Sequence, residues 1–280
     1  MAAAKEEGRE AWLSSISQLV ARYSEEWGLT VGAPFQPGGS TAWVAPVVTR
    51  RTEDGVLKIL WRHAEADHEA DGLRVWAGNG AVLVYEVAES PDTTVLLLER
   101  CMPGAPLSEE PEPEQDVVVA GLLQRLWIAP PSPYRFRPLA EMCDHWADQF
   151  DITRATAPVA LDSSLADEGI QLFRSLPRTA EREVLLATDL HAGNVLSAQR
   201  EQWLAIDPKP YIGDPTYDAT QHMFNCERRL HDNPLALIER LADLLALDRD
   251  RLRLWMFARC VQESAYTAEL ADVVQRLAPA

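Results

Sequence analysis

The strongest constraint on the fold of this chain is a short island of strand-forming sequence set among helical segments. Val184–Ala187 and Trp203–Ile206 are β-rich and brief, while the sequence around them reads as helix. Between them runs T-D-L-H-A-G-N-V-L-S, and after them I-D-P-K-P-Y-I-G-D-P-T-Y-D. The intervening Val195–Ser197, Ala198–Gln202 and Trp203–Ile206 predict a hairpin. Asp189 and Asn194 then lie on a loop after one strand, and Asp207 ends the next. A hairpin would return Asn194 and Asp207 to the same neighbourhood.

Those residue types suit phosphoryl transfer. A carboxylate beside an acceptor hydroxyl orients it and takes its proton. Mg²⁺ between phosphates needs one or two carboxylates and an amide oxygen. Asp189 is the candidate base, and Asn194 and Asp207 are the candidate Mg²⁺ ligands. Protein kinases assemble their catalytic loop and metal aspartate in this order.

Upstream, Glu10–Trp27 spaces Trp12, Ile16, Leu19, Val20, Tyr23 and Trp27 as one face of a helix. Val31–Phe35, Ala42–Thr49 and Gly55–Trp61 predict strands, with Pro37-Gly38-Gly39-Ser40 as a turn. His63–Ala77 predicts a helix ended by Gly78-Asn79-Gly80. Ala81–Val87 and Thr94–Leu98 are further apolar runs. After a Pro/Glu-rich stretch the helical segments are Asp116–Ile128, Leu139–Phe150, Ser163–Leu176, Pro234–Ala246 and Arg249–Leu277 with breaks. The expected architecture is α+β and bilobal, like a protein kinase. Residues 1–99 form a small antiparallel-sheet lobe that binds nucleotide. Residues 100–280 form a larger, mainly helical catalytic and substrate lobe, with a hinge near Leu97–Gly104.

The chain has 280 residues and a formal net charge of −17, which disfavours nucleic acid and anionic membrane; it would attract a cationic small-molecule partner, although such acidity is more often that of an ordinary soluble protein. No apolar run approaches a membrane span, and Met1–Glu10 lacks a signal-peptide core, so a soluble cytoplasmic protein is expected. Cys101, Cys143, Cys226 and Cys260 show no zinc spacing and read as reduced thiols.

T-D-L-H-A-G-N-V-L, the strand ending I-D-P-K and the following G-D-P-x-Y-D resemble the aminoglycoside phosphotransferase superfamily, whose core reads H-G-D-x-x-x-x-N and then I-D. More narrowly they resemble the aminoglycoside/hydroxyurea antibiotic resistance kinase family. The resemblance implies an ATP- and Mg²⁺-dependent kinase that phosphorylates a hydroxyl of a streptomycin-like aminoglycoside. A sugar, amino sugar, hydroxyurea or other metabolite is the alternative acceptor, and an inactive nucleotide-binding relative is another. It implies Asp189 as base and Asn194 and Asp207 as metal ligands. Val56-Leu57-Lys58-Ile59 is similar to the strand whose lysine binds phosphates, with Glu69 as its ion-pair partner and Glu65 competing. Leu96–Arg100 is similar to the hinge, where backbone near Glu99 and Cys101 would meet adenine. Pro37–Thr41 resembles either a nucleotide-covering loop, with Ser40 at a phosphate, or a plain hairpin turn.

Two features depart from the pattern or stay open. Ala187-Thr188 stands where the family carries His-Gly, which bears on loop geometry. Asp214 and Asp218 cap the next helix, line the substrate site, or do both; Glu227 and Glu263 are further candidates for holding ammonium or guanidinium groups. His191 reads as loop packing, and Lys209 as a phosphate counter-charge or an exposed lysine.

Overall fold

The computed structural model describes residues 10–36, 41–51, 53–62, 67–130, 132, 136–156 and 161–279. Ser40, the Pro37–Ser40 turn and Glu65 lie outside them. The chain divides into two compact units, Met1–Ala105 with Leu196–Lys209, and Pro106–Val195 with Pro210–Ala280.

The first unit opens with α1 (Glu10–Trp27), β1 (Leu29–Val31), β2 (Ala42–Thr49) and β3 (Asp54–Trp61). It continues through α2 (Glu69–Trp76), β4 (Val84–Ser90) and β5 (Thr93–Glu99). The strands form one antiparallel sheet in the order β1-β2-β3-β5-β4. Side chains alternate across β3. Leu57, Ile59 and Trp61 pack with Trp12, Ile16 and Tyr23 of α1, which sends Lys58 to the opposite face. Trp12 Nε1 also donates to Thr93 Oγ1 at 3.0 Å, tying α1 to the sheet.

β1 begins two residues earlier than the Val31–Phe35 run suggests. Gly28 adopts φ 64°, so the chain turns directly out of α1 into the sheet. Phe35 is exposed, beyond the strand. The described part of the second helix starts at Glu69, after His68 at φ 71°.

The hairpin expected after Asn194 forms as β8 (Val195–Ser197) and β9 (Trp203–Ala205), following β6 (Arg137–Pro138) and β7 (Val184–Leu186) in the chain. Ala205 exchanges backbone hydrogen bonds with Gly80 and Val82, and Ser197 with Gly104 and Ala105. These bonds place the hairpin with the N-terminal sheet, whereas the lobes drawn from sequence assign it to residues 100–280.

The second unit holds α3 (Glu112–Leu126), α4 (Leu139–Thr153), α5 (Ser163–Ser175), α6 (Pro215–Phe224) and α7 (Glu227–Asp232). It also holds α8 (Pro234–Leu245), α9 (Arg249–Glu263), α10 (Leu270–Leu277) and a small sheet, in which β10 (Tyr211–Gly213) lies between β6 and β7. α9 is the central helix, burying Leu252, Trp255, Met256, Phe257, Cys260 and Val261. No described helix is long and apolar enough to cross a membrane.

Candidate active site

In the first unit, Lys58 occupies the sheet face opposite α1 and is almost fully buried. Its Nζ donates to Glu69 Oε1 at 2.7 Å, Glu69 Oε2 at 2.9 Å and Asp207 Oδ1 at 2.6 Å. Burial opposes the ammonium, but the Asp207 and Glu69 carboxylates more than offset it, so Lys58 is held protonated above its ordinary range. Burial pushes Glu69 up to about 7, against the pull of Lys58. Asp207, at φ 53°, is half-exposed where Lys58 is not.

Glu99 is committed inside this unit. Its carboxylate accepts from Arg200 Nε and Nη2, both at 2.9 Å, and from Leu83 N at 3.0 Å. Its own N–H donates to Leu83 O at 2.8 Å. Arg200 also donates to Gly78 O and Ala81 O, which clamps the hairpin loop to the Gly78–Leu83 stretch. Cys101 is buried, and burial pushes its thiol up to about 12, leaving a neutral side chain at the end of β5.

In the second unit, the loop after β7 is held from behind by Asp218. This carboxylate is fully buried and accepts from Ala187 N at 3.0 Å, Thr188 N at 2.6 Å and Trp127 Nε1 at 3.0 Å. Burial pushes it up to about 6, against those three donors. Asp214 is also buried. It caps α6 through Thr216 N at 2.9 Å and binds Trp255 Nε1 at 2.6 Å and Arg251 Nε at 2.7 Å. The capping expectation for Asp214 therefore holds. Asp214 also borders a second open cavity, beside Thr216 and Arg251, whereas the Asp218 carboxylate faces inward onto protein donors.

Within the loop, Asn194 Nδ2 donates to Asp189 O at 2.9 Å, and His191 Nδ1 accepts from Gly193 N at 3.1 Å. His191 is thus a loop-packing residue. The Asn194 bond turns its amide so that Oδ1 is the atom left to meet a cation. Asn194 and Asp207 each offer a hard oxygen of the kind Mg²⁺ takes.

Thr188 adopts φ 48°, a left-handed conformation costly for a β-branched residue. The family pattern carries a glycine at this position, the residue that such a backbone conformation favours. Thr188→Gly relieves roughly 1–3 kcal/mol of strain and returns about 0.5–1 kcal/mol to unfolded-chain entropy. The expected result is a higher melting temperature with turnover retained, read by calorimetry and steady-state kinetics.

Sequence reasoning missed two residues beside Asp189. Gln221 of α6 donates from Nε2 to Asp189 Oδ1 at 2.9 Å, and Arg259 of α9 donates to Gln221 Oε1 at 3.0 Å. The available signal was an arginine inside the otherwise apolar run W-M-F-A-R-C-V, since a charge there is buried for a reason. Both line an open cavity of about 600 Å³, whose wall carries Glu227, Glu263 and Glu269. The two glutamates proposed from sequence therefore share one cavity.

Among the described residues, one group of His, Cys and Asp side chains is close enough to hold a metal: Asp116, His222 and Cys226. Asp116 is already occupied by Arg229 Nη2 at 2.8 Å, Arg240 Nε at 2.5 Å and His222 Nε2 at 3.0 Å. Two guanidinium groups on the only carboxylate make this an ion-pair cluster.

Residues 28–271 match the family model described as aminoglycoside/hydroxyurea antibiotic resistance kinase. The chain is 36% identical to a hydroxyurea phosphotransferase of Kitasatospora aureofaciens, over 95% of this chain and 77% of that protein. It is 33% identical to a streptomycin 6-kinase of Streptomyces griseus, over 98% of this chain and 89% of that protein. The choline kinase LicA from Streptococcus pneumoniae shares the fold at a TM-score of 0.62 and 13% identity, covering 94% of this chain and 97% of that one. The chain therefore belongs to the aminoglycoside/hydroxyurea antibiotic resistance kinase family, small-molecule phosphotransferases, and has an α+β protein-kinase-like fold.

Proposed function

We propose that this protein transfers the γ-phosphoryl group of ATP to a hydroxyl of a streptomycin-like aminoglycoside in the cytoplasm. The observation that carries the reading is the cavity of about 600 Å³ in the second unit. Its volume suits a drug-sized ligand and far exceeds a molecule as small as hydroxyurea. Its carboxylates, Glu227, Glu263 and Glu269, suit ammonium and guanidinium groups. Its wall includes Gln221, which holds Asp189, so a cation seated there has its hydroxyls near the base. The names of the two curated relatives supply both acceptor classes, and the cavity favours the larger.

In this reading Asp189 accepts the proton of the acceptor hydroxyl as its oxygen bonds to the γ-phosphorus. The bond from that phosphorus to the β-phosphate bridging oxygen breaks, and ADP leaves. Lys58, fixed by Glu69, gives its charge to the nucleotide phosphates. Asn194 of the second unit and Asp207 of the first would each offer Mg²⁺ an oxygen, and the ion would neutralise phosphate charge. The hinge after β5, including Cys101, takes the adenine. The first unit is the nucleotide-binding part, and the second carries the base and the substrate.

A coupled assay of ADP release with streptomycin, neutral sugars and hydroxyurea tests the assignment. Turnover is expected with streptomycin and not with neutral sugars. Turnover with hydroxyurea alone sinks the aminoglycoside reading, and Mg-ATP binding with no acceptor turnover sinks the enzyme reading. Lys58→Met is expected to lower kcat/KM for ATP by about 10²–10³-fold. An unchanged value in the same assay removes Lys58 from the nucleotide site.

A further inference from the structure

Asp189 is held from the side by a relay that no sequence motif announces. The guanidinium of Arg259 is buried, with its carbon 4.8 Å from the centroid of the Tyr217 ring and 4.6 Å from that of Phe224. Its Nη1 donates to Thr220 Oγ1 at 2.6 Å, and its Nη2 to Gln221 Oε1 at 3.0 Å. Thr220 Oγ1 in turn donates to Tyr217 O at 2.5 Å. The guanidinium therefore has a fixed plane, clasped by two rings and two acceptors.

That fixed plane decides which way the Gln221 amide points. An unrestrained glutamine can offer either its oxygen or its nitrogen to a neighbour. Arg259 has only donors, so it takes the oxygen and turns Nε2 outward. Nε2 then donates to Asp189 Oδ1 at 2.9 Å.

We propose that Arg259 and Gln221 are positioning residues that fix the rotamer of the Asp189 carboxylate against the acceptor hydroxyl. The proposal rests on Asp189 being the base. Its chemistry is orientation: one carboxylate oxygen is engaged by an amide donor, which sets the plane in which the other meets the substrate. Because the charge of Arg259 reaches Asp189 through a neutral amide, it polarises that donor without forming an ion pair that would quench the base. The arrangement also links the two sides of the reaction, since Gln221 and Arg259 line the acidic cavity.

The test is steady-state phosphorylation of streptomycin by Gln221→Met, Arg259→Lys and the Gln221→Met/Arg259→Lys double variant, with Asp189→Asn alongside. Gln221→Met keeps the side chain's size and loses both bonds. Its kcat is expected to fall about 10–100-fold, with KM for ATP unchanged. Arg259→Lys loses the fork that spans Thr220 and Gln221 and is expected to fall similarly. The double variant is expected to lose no more than the worse single one, as for residues acting in series.

A folded Gln221→Met enzyme with wild-type kcat overturns the relay. So do losses that add in the double variant. If Asp189→Asn retains full turnover, the base assignment fails and the relay with it. If Asp189→Asn is dead while the Gln221 and Arg259 variants run at the wild-type rate, only the relay fails.

Discussion

Replacing Asp189 with asparagine is expected to lower kcat for streptomycin phosphorylation by about 10²–10⁴-fold, the range that a positioned general base supplies. The exchange keeps volume and keeps an oxygen for Gln221 Nε2, which reaches Asp189 Oδ1 at 2.9 Å in the native protein. It removes only the capacity to take a proton. The melting temperature and the KM values for ATP and streptomycin should therefore stay near those of the wild type. A loss expressed in KM would mean that Asp189 binds substrate rather than activating it. Turnover at the native rate would move the chemistry elsewhere in the second unit.

The largest expected effect on stability belongs to Asp116→Ala. Asp116 is fully buried on α3 and ties three later helices to it: α6 through His222, α7 through Arg229 and α8 through Arg240. Truncating it leaves the buried His222 and two partly exposed guanidinium groups without their acceptor, which costs about 3 kcal/mol once solvent screening of the arginines is allowed for. For a chain of this size that is a drop of roughly 10 °C in melting temperature. The pH dependence has a definite sign. Burial opposes the charge, but the hydrogen bonds from His222, Arg229 and Arg240 win and hold the carboxyl well below the usual range. A depressed carboxylate contributes stability above its unfolded pKa of about 4 and loses it as the pH falls below that value. Acid titration should accordingly destabilise the wild type more steeply than Asp116→Ala. Parallel acid profiles would show that the cluster is electrostatically neutral to folding.

Much of the first unit was legible because its elements are amphipathic in the simple sense. α1 shows its buried face at spacings of three and four, and β3 carries Leu57, Ile59 and Trp61 on one side with Lys58 on the other. The hairpin after Asn194 was legible for the same reason. α6 was not read as an element, and its composition explains why. Pro215, Thr216, Tyr217, Asp218, Ala219, Thr220, His222 and Met223 are all buried, so the helix has no polar face for periodicity to find. Its buried polar groups are satisfied by distant partners. His222 meets Asp116 across 106 positions, and Asp218 meets Trp127 across 91. Such pairings leave no local trace, so the sequence offered Asp218 as a cap or a substrate contact and did not show it as an internal brace. Gln221 escaped notice for the same reason.

The location of the β8–β9 hairpin has a practical consequence. The chain leaves the first unit after Ala105, re-enters it at Leu196 and leaves again after Lys209. No single uninterrupted stretch of gene can therefore encode that unit. A fragment ending at Ala105 would omit Asp207 and leave the Lys58 ammonium one carboxylate short, so cutting the protein there cannot yield a separately working nucleotide half.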